Sequence, residues 1–242
     1  LKINLDTLDQ IEKEYEDEMH VLENRLNELA KEAMGDTPIN LASPDDKSML
    51  LYSRRVKDKA LWSMTFNLGH EMRGNTIKPK MKTRMKNTEF VRCVRRMTDI
   101  VYKTIGRQCQ TCNGSGRVTP LKKDGSKGKA KRICKVCIGK GVNYTSTGEV
   151  AGFKLIPRTV RDTASAGFKT DKVTLEDRLS ELDGNAREFC EAYVRYNALR
   201  TYLSTFVEGM KNNVDDDSFI HPEFMQCVTA TGRLSSRNPN FQ

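Results

Sequence analysis

No apolar run in these 242 residues approaches the ~18 that a membrane span requires, and no secretory leader is visible. The expectation is a cytoplasmic protein with no membrane partner. Histidine is scarce, and His20, His70 and His221 stand far from one another and from the paired cysteines. Each reads as a surface or structural residue and not as a ligand or base. Aromatic residues are missing from the cationic stretch between Lys122 and Arg132, which argues against base stacking there and for contact with phosphates.

What the chain has in excess is positive charge, gathered in one place. Between Arg73 and Lys140 there are twenty Lys and Arg against three acids, Glu89, Asp99 and Asp124, a surplus of seventeen. Because the whole chain carries only +9, the remainder is acidic by eight. A basic block inside an acidic protein is the footprint expected of a surface that meets a phosphate backbone. The plain alternative is a solvated insert kept soluble by its lysines.

Apolar spacing predicts three long helices. Leu8, Ile11, Tyr15, Met19, Leu22, Leu26 and Leu29 recur at steps of three and four, with Thr7 and Gln10 as a capping box and Gly35 as the stop. A coiled-coil dimer is the alternative for that stripe. Ser43-Pro44-Asp45-Asp46 marks another helix start. Phe90, Val94, Met97, Val101 and Ile105 predict a helix from Asn87 to Ile105, whose Arg92, Arg95 and Arg96 lie off the stripe and could follow a phosphate row. Phe189, Tyr193, Tyr196, Leu199, Leu203, Phe206 and Met210 predict the last, from Asn185 to Glu208, preceded by a short helix capped by Thr174.

Cysteine spacing carries the sharpest chemistry. Cys109-x-x-Cys112 and Cys134-x-x-Cys137 are separated by 21 residues, and each pair is followed by a glycine doublet, Gly114 with Gly116 and Gly139 with Gly141. Four thiolates in two tight turns suit structural Zn(II), and an all-cysteine site leaves no open position for a substrate. Redox use would call for a thioredoxin-like context, and disulfides for export. Cys93, Cys190 and Cys227 have no partner at ligand spacing. Between the knuckles, Asp124-Gly125 predicts a hairpin turn with Val118-Thr119 and Arg132-Ile133 as its strands, its tip bearing Lys122, Lys123, Lys127 and Lys129. The doublet resembles half of the cysteine-rich domain of DnaJ-type co-chaperones, over about 33 residues.

The residues from Thr229 to Gln242, TATGRLSSRNPNFQ, resemble the peptide that leads into the palm of family A DNA polymerases, the bacterial DNA polymerase I group. Upstream, Ile220-His221, Gln226 and Val228-Thr229 follow the same family's strand pattern. Tyr196-Asn197-Ala198-Leu199 with Ser204-Thr205-Phe206 resembles a helix of its thumb, and Lys169-Thr170-Asp171 through Leu179 the segment before it. Residues 1 to about 55 resemble the long thumb helix and the turn and helix that follow. The roughly hundred residues between the matching blocks do not fit the pattern and read as an insertion.

The resemblance implies a fold that is mainly α with small β elements. Residues 1–58 and 168–212 would form a long-helix thumb, 59–167 a basic insertion carrying a four-cysteine zinc ribbon (core 107–145), and 213–242 the start of a palm. It implies a part of a template-directed DNA polymerase, of phage or organelle-like lineage, that holds primer-template DNA. The remainder of the polymerase is then a partner, and a processivity or replisome protein could dock at the insertion. Arg233 matches an arginine that enters the minor groove at the primer end; Ser235, Ser236, Asn240 and Gln242 match neighbouring DNA contacts. Asn197 and Thr201 stand where thumb cations are usual, with Arg195 and Arg200 as substitutes. No catalytic aspartate pair can be assigned, so Mg(II) belongs to an active site outside these residues and the stretch alone is expected to be inactive. A non-catalytic subunit of a split polymerase and a zinc-ribbon protein-binding adaptor are the other readings.

Overall fold

Asparagine, and not threonine, starts the first helix. The Asn4 side chain accepts the Thr7 N–H at 3.1 Å, so the chain is already helical at Leu5 and the capping box expected at Thr7 and Gln10 is not the cap. A computed structural model describes residues 1–120, 131–226 and 233–237, and in them α1 runs Leu5–Met34. Gly35, with φ +78°, ends it as the sequence predicts, in the left-handed conformation that closes helices.

The remaining helices are α2 (Pro44–Tyr52), α3 (Lys59–Phe66), α4 (Asn87–Met97), α5 (Lys172–Arg178), α6 (Gly184–Thr201) and α7 (Glu208–Lys211). A π-helical segment, Tyr202–Val207, joins the last two. Among the described residues the strands form six antiparallel pairs: β1 (Arg54–Val56) with β4 (Thr98–Ile100), β2 (His70–Arg73) with β3 (Thr76–Pro79), β5 (Tyr102–Gln108) with β8 (Val142–Val150), β6 (Arg117–Val118) with β7 (Arg132–Ile133), β9 (Thr163–Ala164) with β10 (Gly167–Phe168), and β11 (Glu223–Met225) with β12 (Ser235–Arg237). The fold is thus mixed, with helices and small sheets. No helix among the described residues is long and apolar enough to cross a membrane.

Two expected helices differ in detail. α4 stops at Met97, eight residues before Ile105. Phe90, Val94 and Met97 are buried as the stripe requires, but Ile105 is 51 % exposed. From Thr98 onward the β-branched residues Thr98, Ile100, Val101, Thr104 and Ile105 favour extended chain, and β1 is present to pair with β4. The last helix continues to Lys211 through the π segment, beyond the expected end at Glu208. The short helix before it is capped by Asp171, which accepts the Thr174 N–H at 3.1 Å, so Thr174 is the capped residue and not the cap.

Two compact units divide the chain, residues 28–186 and residues 1–27 with 187–242. In the larger unit Tyr52, Trp62, Phe66, Phe90 and Phe168 form one aromatic core, each no more than 2 % exposed. Trp62 stands edge-on to Phe66 at 4.6 Å and to Phe168 at 5.4 Å, and Tyr52 packs on Phe168 at 4.6 Å. The polar tips are satisfied: Trp62 Nε1 donates to Ala164 O and the Tyr52 hydroxyl to Lys169 O, both at 3.0 Å.

In the smaller unit the backbones of Leu1 and Ile3 pair with Ile220 and Ser218. Charged forks tie α1 to α6, Arg25 to Glu188 at 2.6 and 2.9 Å and Glu18 to Arg195 at 2.7 Å twice. Each is exposed and contributes little alone.

Arg178 is the buried charge among the described residues of the larger unit, 1 % exposed. It donates to Asp162 at 2.8 Å, Glu181 at 2.9 Å and the Ile156 carbonyl at 3.1 Å. The same Asp162 oxygen accepts the Arg158 and Thr159 N–H groups, so removing Arg178 strands the hub. Arg178→Ala is expected to cost roughly 3–5 kcal/mol in denaturant unfolding. Lys82 is the weaker, half-buried counterpart: it donates to the Arg161 and Thr163 carbonyls, and burial, with Lys169 adding, pushes its pKa down to about 8. An amine depressed in the folded state penalises folding at low pH, and the penalty is relieved as pH rises from about 8 toward the unfolded value of 10.5. Lys82→Met should therefore flatten the rise in stability across that window, read from thermal unfolding at a series of pH values.

Candidate metal centre and nucleic-acid interface

The two cysteine pairs meet at the end of a two-stranded ribbon. β5 and β8 pair in register from Thr104↔Ser146 to Gln108↔Val142, and the chain leaves β5 directly into Cys109 and returns to β8 after Gly141. The ribbon's base is held to the end of α1 by backbone groups and by the Asp36 side chain. Asp36 N–H donates to Thr104 O at 2.9 Å, the Gly106 N–H to the Asp36 carboxylate at 2.8 Å, and a Cβ on Gly35 would lie 2.4 Å from Thr104 O.

Each knuckle repeats the same bonds. Gly114 N–H donates to Cys109 O and Gly139 N–H to Cys134 O, both at 3.2 Å; Ser115 donates to Cys112 O and Lys140 to Cys137 O, both at 3.0 Å. They then cross-brace one another, Cys109 N–H to Gly141 O at 2.8 Å and Cys134 N–H to Gly116 O at 2.9 Å. A Cβ at Gly116 would stand 2.2 Å from Gly139 O, and one at Gly141 would stand 2.2 Å from Gly114 O. The glycine doublets are therefore required by backbone approaching backbone.

All four sulfurs are buried and lie within 4.8 Å of one another, with Cys109 to Cys134 at 3.9 Å and Cys112 to Cys137 at 3.6 Å. A tetrahedron of sulfurs bound at about 2.3 Å has edges of about 3.8 Å, and a disulfide would need about 2.05 Å. The four cysteines are free thiols, and the donor set fits a soft tetrahedral metal ion. Burial opposes the Cys109 thiolate, but the Cys112 and Thr111 N–H groups and the thiols of Cys112 and Cys134 outweigh it and draw that pKa down. Burial, with Cys137 and Cys109 beside it, pushes Cys112 up. Gly141 N–H points at the Cys137 sulfur at 3.2 Å. Among the described residues this is the one group of three or more candidate ligands, and His20, His70 and His221 take no part.

The expected hairpin strands are present, Arg117↔Ile133 and Val118↔Arg132. Its tip, with Lys122, Lys123, Lys127 and Lys129, lies outside the described residues, as do Cys227, Asn240 and Gln242. Arg92, Arg95 and Arg96 are exposed on α4, and so is Arg200 near the end of α6. Arg195 is not a spare cation, because both of its bonds go to Glu18. At the C-terminus Arg233 is exposed, Ser235 half-buried and Ser236 5 % exposed on β12. Phe224↔Ser236 pairing sets that register, and Arg237 reaches Glu223 at 2.5 Å.

Residues 124–242 match the family model described as DNA polymerase family A. A DNA polymerase I from a Synechocystis species is 39% identical over 77 residues, 31% of this chain and 7% of that protein. One from Lactococcus lactis subsp. cremoris is 33% identical over 90 residues, 37% of this chain and 10% of the relative. The DNA polymerase of Bacillus phage SP01 is 29% identical over 131 residues, 53% and 14%. The chain thus aligns with a small part, 7% to 14%, of the length of these relatives.

Ile138 occupies the left-handed position that Asn113 fills in the first knuckle, with φ of 52° and 47°, and it is 77% exposed. A β-branched residue there is strained by roughly 1–2 kcal/mol, so Ile138→Asn should raise the unfolding temperature of the metal-loaded chain. Gly141→Ala should abolish metal retention, measured as metal per chain by elemental analysis, where the parent is expected to hold one ion.

Proposed function

From the premise that the chain belongs to DNA polymerase family A, carried by residues 124–242, we propose that it is the part of a template-directed DNA polymerase that grips primer-template duplex. Residues 1–58 and 168–212 are the thumb, 59–167 an insertion and 213–242 the start of the palm. Arg233 enters the minor groove at the primer end, where acceptors are nearly the same for every base pair, so it tests geometry and not sequence. Ser235, Ser236, Asn240 and Gln242 support it there. Catalysis, with Mg(II) held by paired carboxylates, falls to residues outside these 242.

The insertion's metal is Zn(II), held by Cys109, Cys112, Cys134 and Cys137. Its task is structural, because four thiolates saturate the ion and, among the described residues, Val118 is the one partly buried apolar neighbour packed on the cysteines. A structural zinc supplies roughly 10–16 kcal/mol in small fingers. Folded in this way, the module carries Arg117, Lys131, Arg132, Lys135 and Lys140, all exposed. With Arg92 and Arg96, which lie on the side of α4 away from Phe90 and Val94, they give the insertion its phosphate-facing surface.

The observation that carries this reading is the coincidence of the family match with a +17 block set inside an acidic remainder. Primer-template binding should fall steeply with salt. Arg92→Ala and Arg96→Ala should each lower the slope of log affinity against log salt by about 1, measured by fluorescence anisotropy. Absence of duplex binding even in dilute buffer would overturn the assignment.

A further inference from the structure

A cleft beside α4 belongs to neither the metal module nor the C-terminal arginine loop. It encloses about 290 Å³. Its floor is Tyr52, Phe90 and Val94, and its walls are aliphatic, with Val91, Ile100 and Ile156 exposed by 41%, 44% and 76%. Three cations stand at the rim, each from a different segment: Arg54 from β1, Arg95 from α4 and Lys154 from the loop after β8. None of the three is ion-paired among the described residues. A shallower polar cleft continues from it, lined by Arg54, Arg95, Tyr102 and the Lys57–Asp99 ion pair, 3.2 Å apart.

The rim is built and not incidental. Arg54 is aimed by its bond to Thr98 Oγ1 at 3.2 Å, and that hydroxyl in turn donates to Val94 O at 2.7 Å. The loop carrying Lys154 is pinned to the end of α2 by Phe153 N–H to Leu50 O at 2.8 Å, Leu155 N–H to Leu51 O at 2.9 Å and Lys154 N–H to Ser53 Oγ at 2.9 Å. Ser53, the residue that ends α2, and Lys154 both hold positive φ, 57° and 58°, a conformation usual at a helix end for the first and adopted at a cost by the second.

We propose that this cleft binds an acidic peptide segment of a partner protein, one bulky apolar side chain filling the cup while neighbouring carboxylates meet Arg54, Arg95 and Lys154. The walls decide between the two anionic classes of ligand. A nucleobase needs an aromatic face to stack on or polar groups along its edge; the rings of Tyr52 and Phe90 at the floor are no more than 2% exposed, and the exposed walls are valine and isoleucine, which reward burial of an apolar side chain. Volume agrees, the cup of about 290 Å³ being enough for one bulky side chain. The cations at three separate points give a peptide its register and speed its encounter. Arg95 sits on the shoulder of α4 that faces this cleft, apart from Arg92 and Arg96, so the peptide site and the duplex surface occupy different faces of one helix. The proposal does not depend on duplex binding.

The test uses the metal-loaded 242-residue chain and a fluorescein-labelled hexapeptide, Asp-Asp-Glu-Asp-Leu-Phe, followed by anisotropy. Saturable binding is expected, weakened about tenfold or more by Val91→Trp, which plugs the cup without altering charge, by Arg95→Glu, and by exchanging the peptide's Phe for Ala. Ile156→Glu gives the same reading on the opposite wall, should Val91→Trp disturb folding. Val91→Trp should leave primer-template affinity unchanged, so failure here and failure of the duplex reading are told apart. The proposal is overturned if no saturable binding is found up to millimolar chain. It is also overturned if loss of the peptide's Phe and plugging of the cup both leave affinity unaltered, which is charge attraction alone, or if oligothymidylate displaces the peptide at lower concentration than unlabelled peptide does.

Discussion

Residues 109–141 depend on two close passages of backbone against backbone. Gly116 lies against the carbonyl of Gly139 and Gly141 against that of Gly114, and these contacts, with the hydrogen bonds that cross-brace the knuckles, bring four sulfurs to tetrahedral spacing. The order of cause is instructive. The turns place the thiols, the amide groups facing Cys109 favour its ionised form, and a metal would complete a shape the chain already specifies. Apolar burial plays little part, since Ile133, Val136 and Ile138 all face outward.

Much of this was legible in the sequence because ligand spacing is a local property. A CxxC pair followed by a glycine doublet encodes its own turn, and the pairing of Val118 with Arg132 follows once both turns are anchored. The stop at Gly35 and the start at Ser43-Pro44 are local for the same reason. Where tertiary pairing competes, local reading overruns. Spacing alone carries the stripe of Phe90, Val94 and Met97 on to Val101 and Ile105, yet β1 captures the residues from Thr98 as its partner strand. Asn4 was hidden behind a second plausible cap at Thr7. Arg195 reads as a spare cation until Glu18 is seen beside it.

The cleft beside α4 was beyond such reading altogether. Its parts lie at residues 52–54, 90–100 and 150–157, the last set apart from the others by the whole metal module, and no periodicity links them. The aromatic core is distributed in the same way. Tyr52 and Phe168 come from segments that resemble a polymerase thumb, while Trp62, Phe66 and Phe90 come from the stretch that does not, and all five share one interior. The departing sequence is therefore integral to the stability of the residues around it, even though its charge sets it apart.

The metal module itself is attached differently. Its ribbon leaves the body at Tyr102 and comes back at Val150, two residues paired across a single ladder rung, and its base is fixed by the main chain around Gly35 together with the Asp36 carboxylate. A chain excursion that departs and returns at adjacent points can be lengthened, shortened or lost in one genetic event with little disturbance of what lies beneath. Lineages of this protein can accordingly be expected to differ first in the extent of that ribbon, while the aromatic interior below it changes slowly.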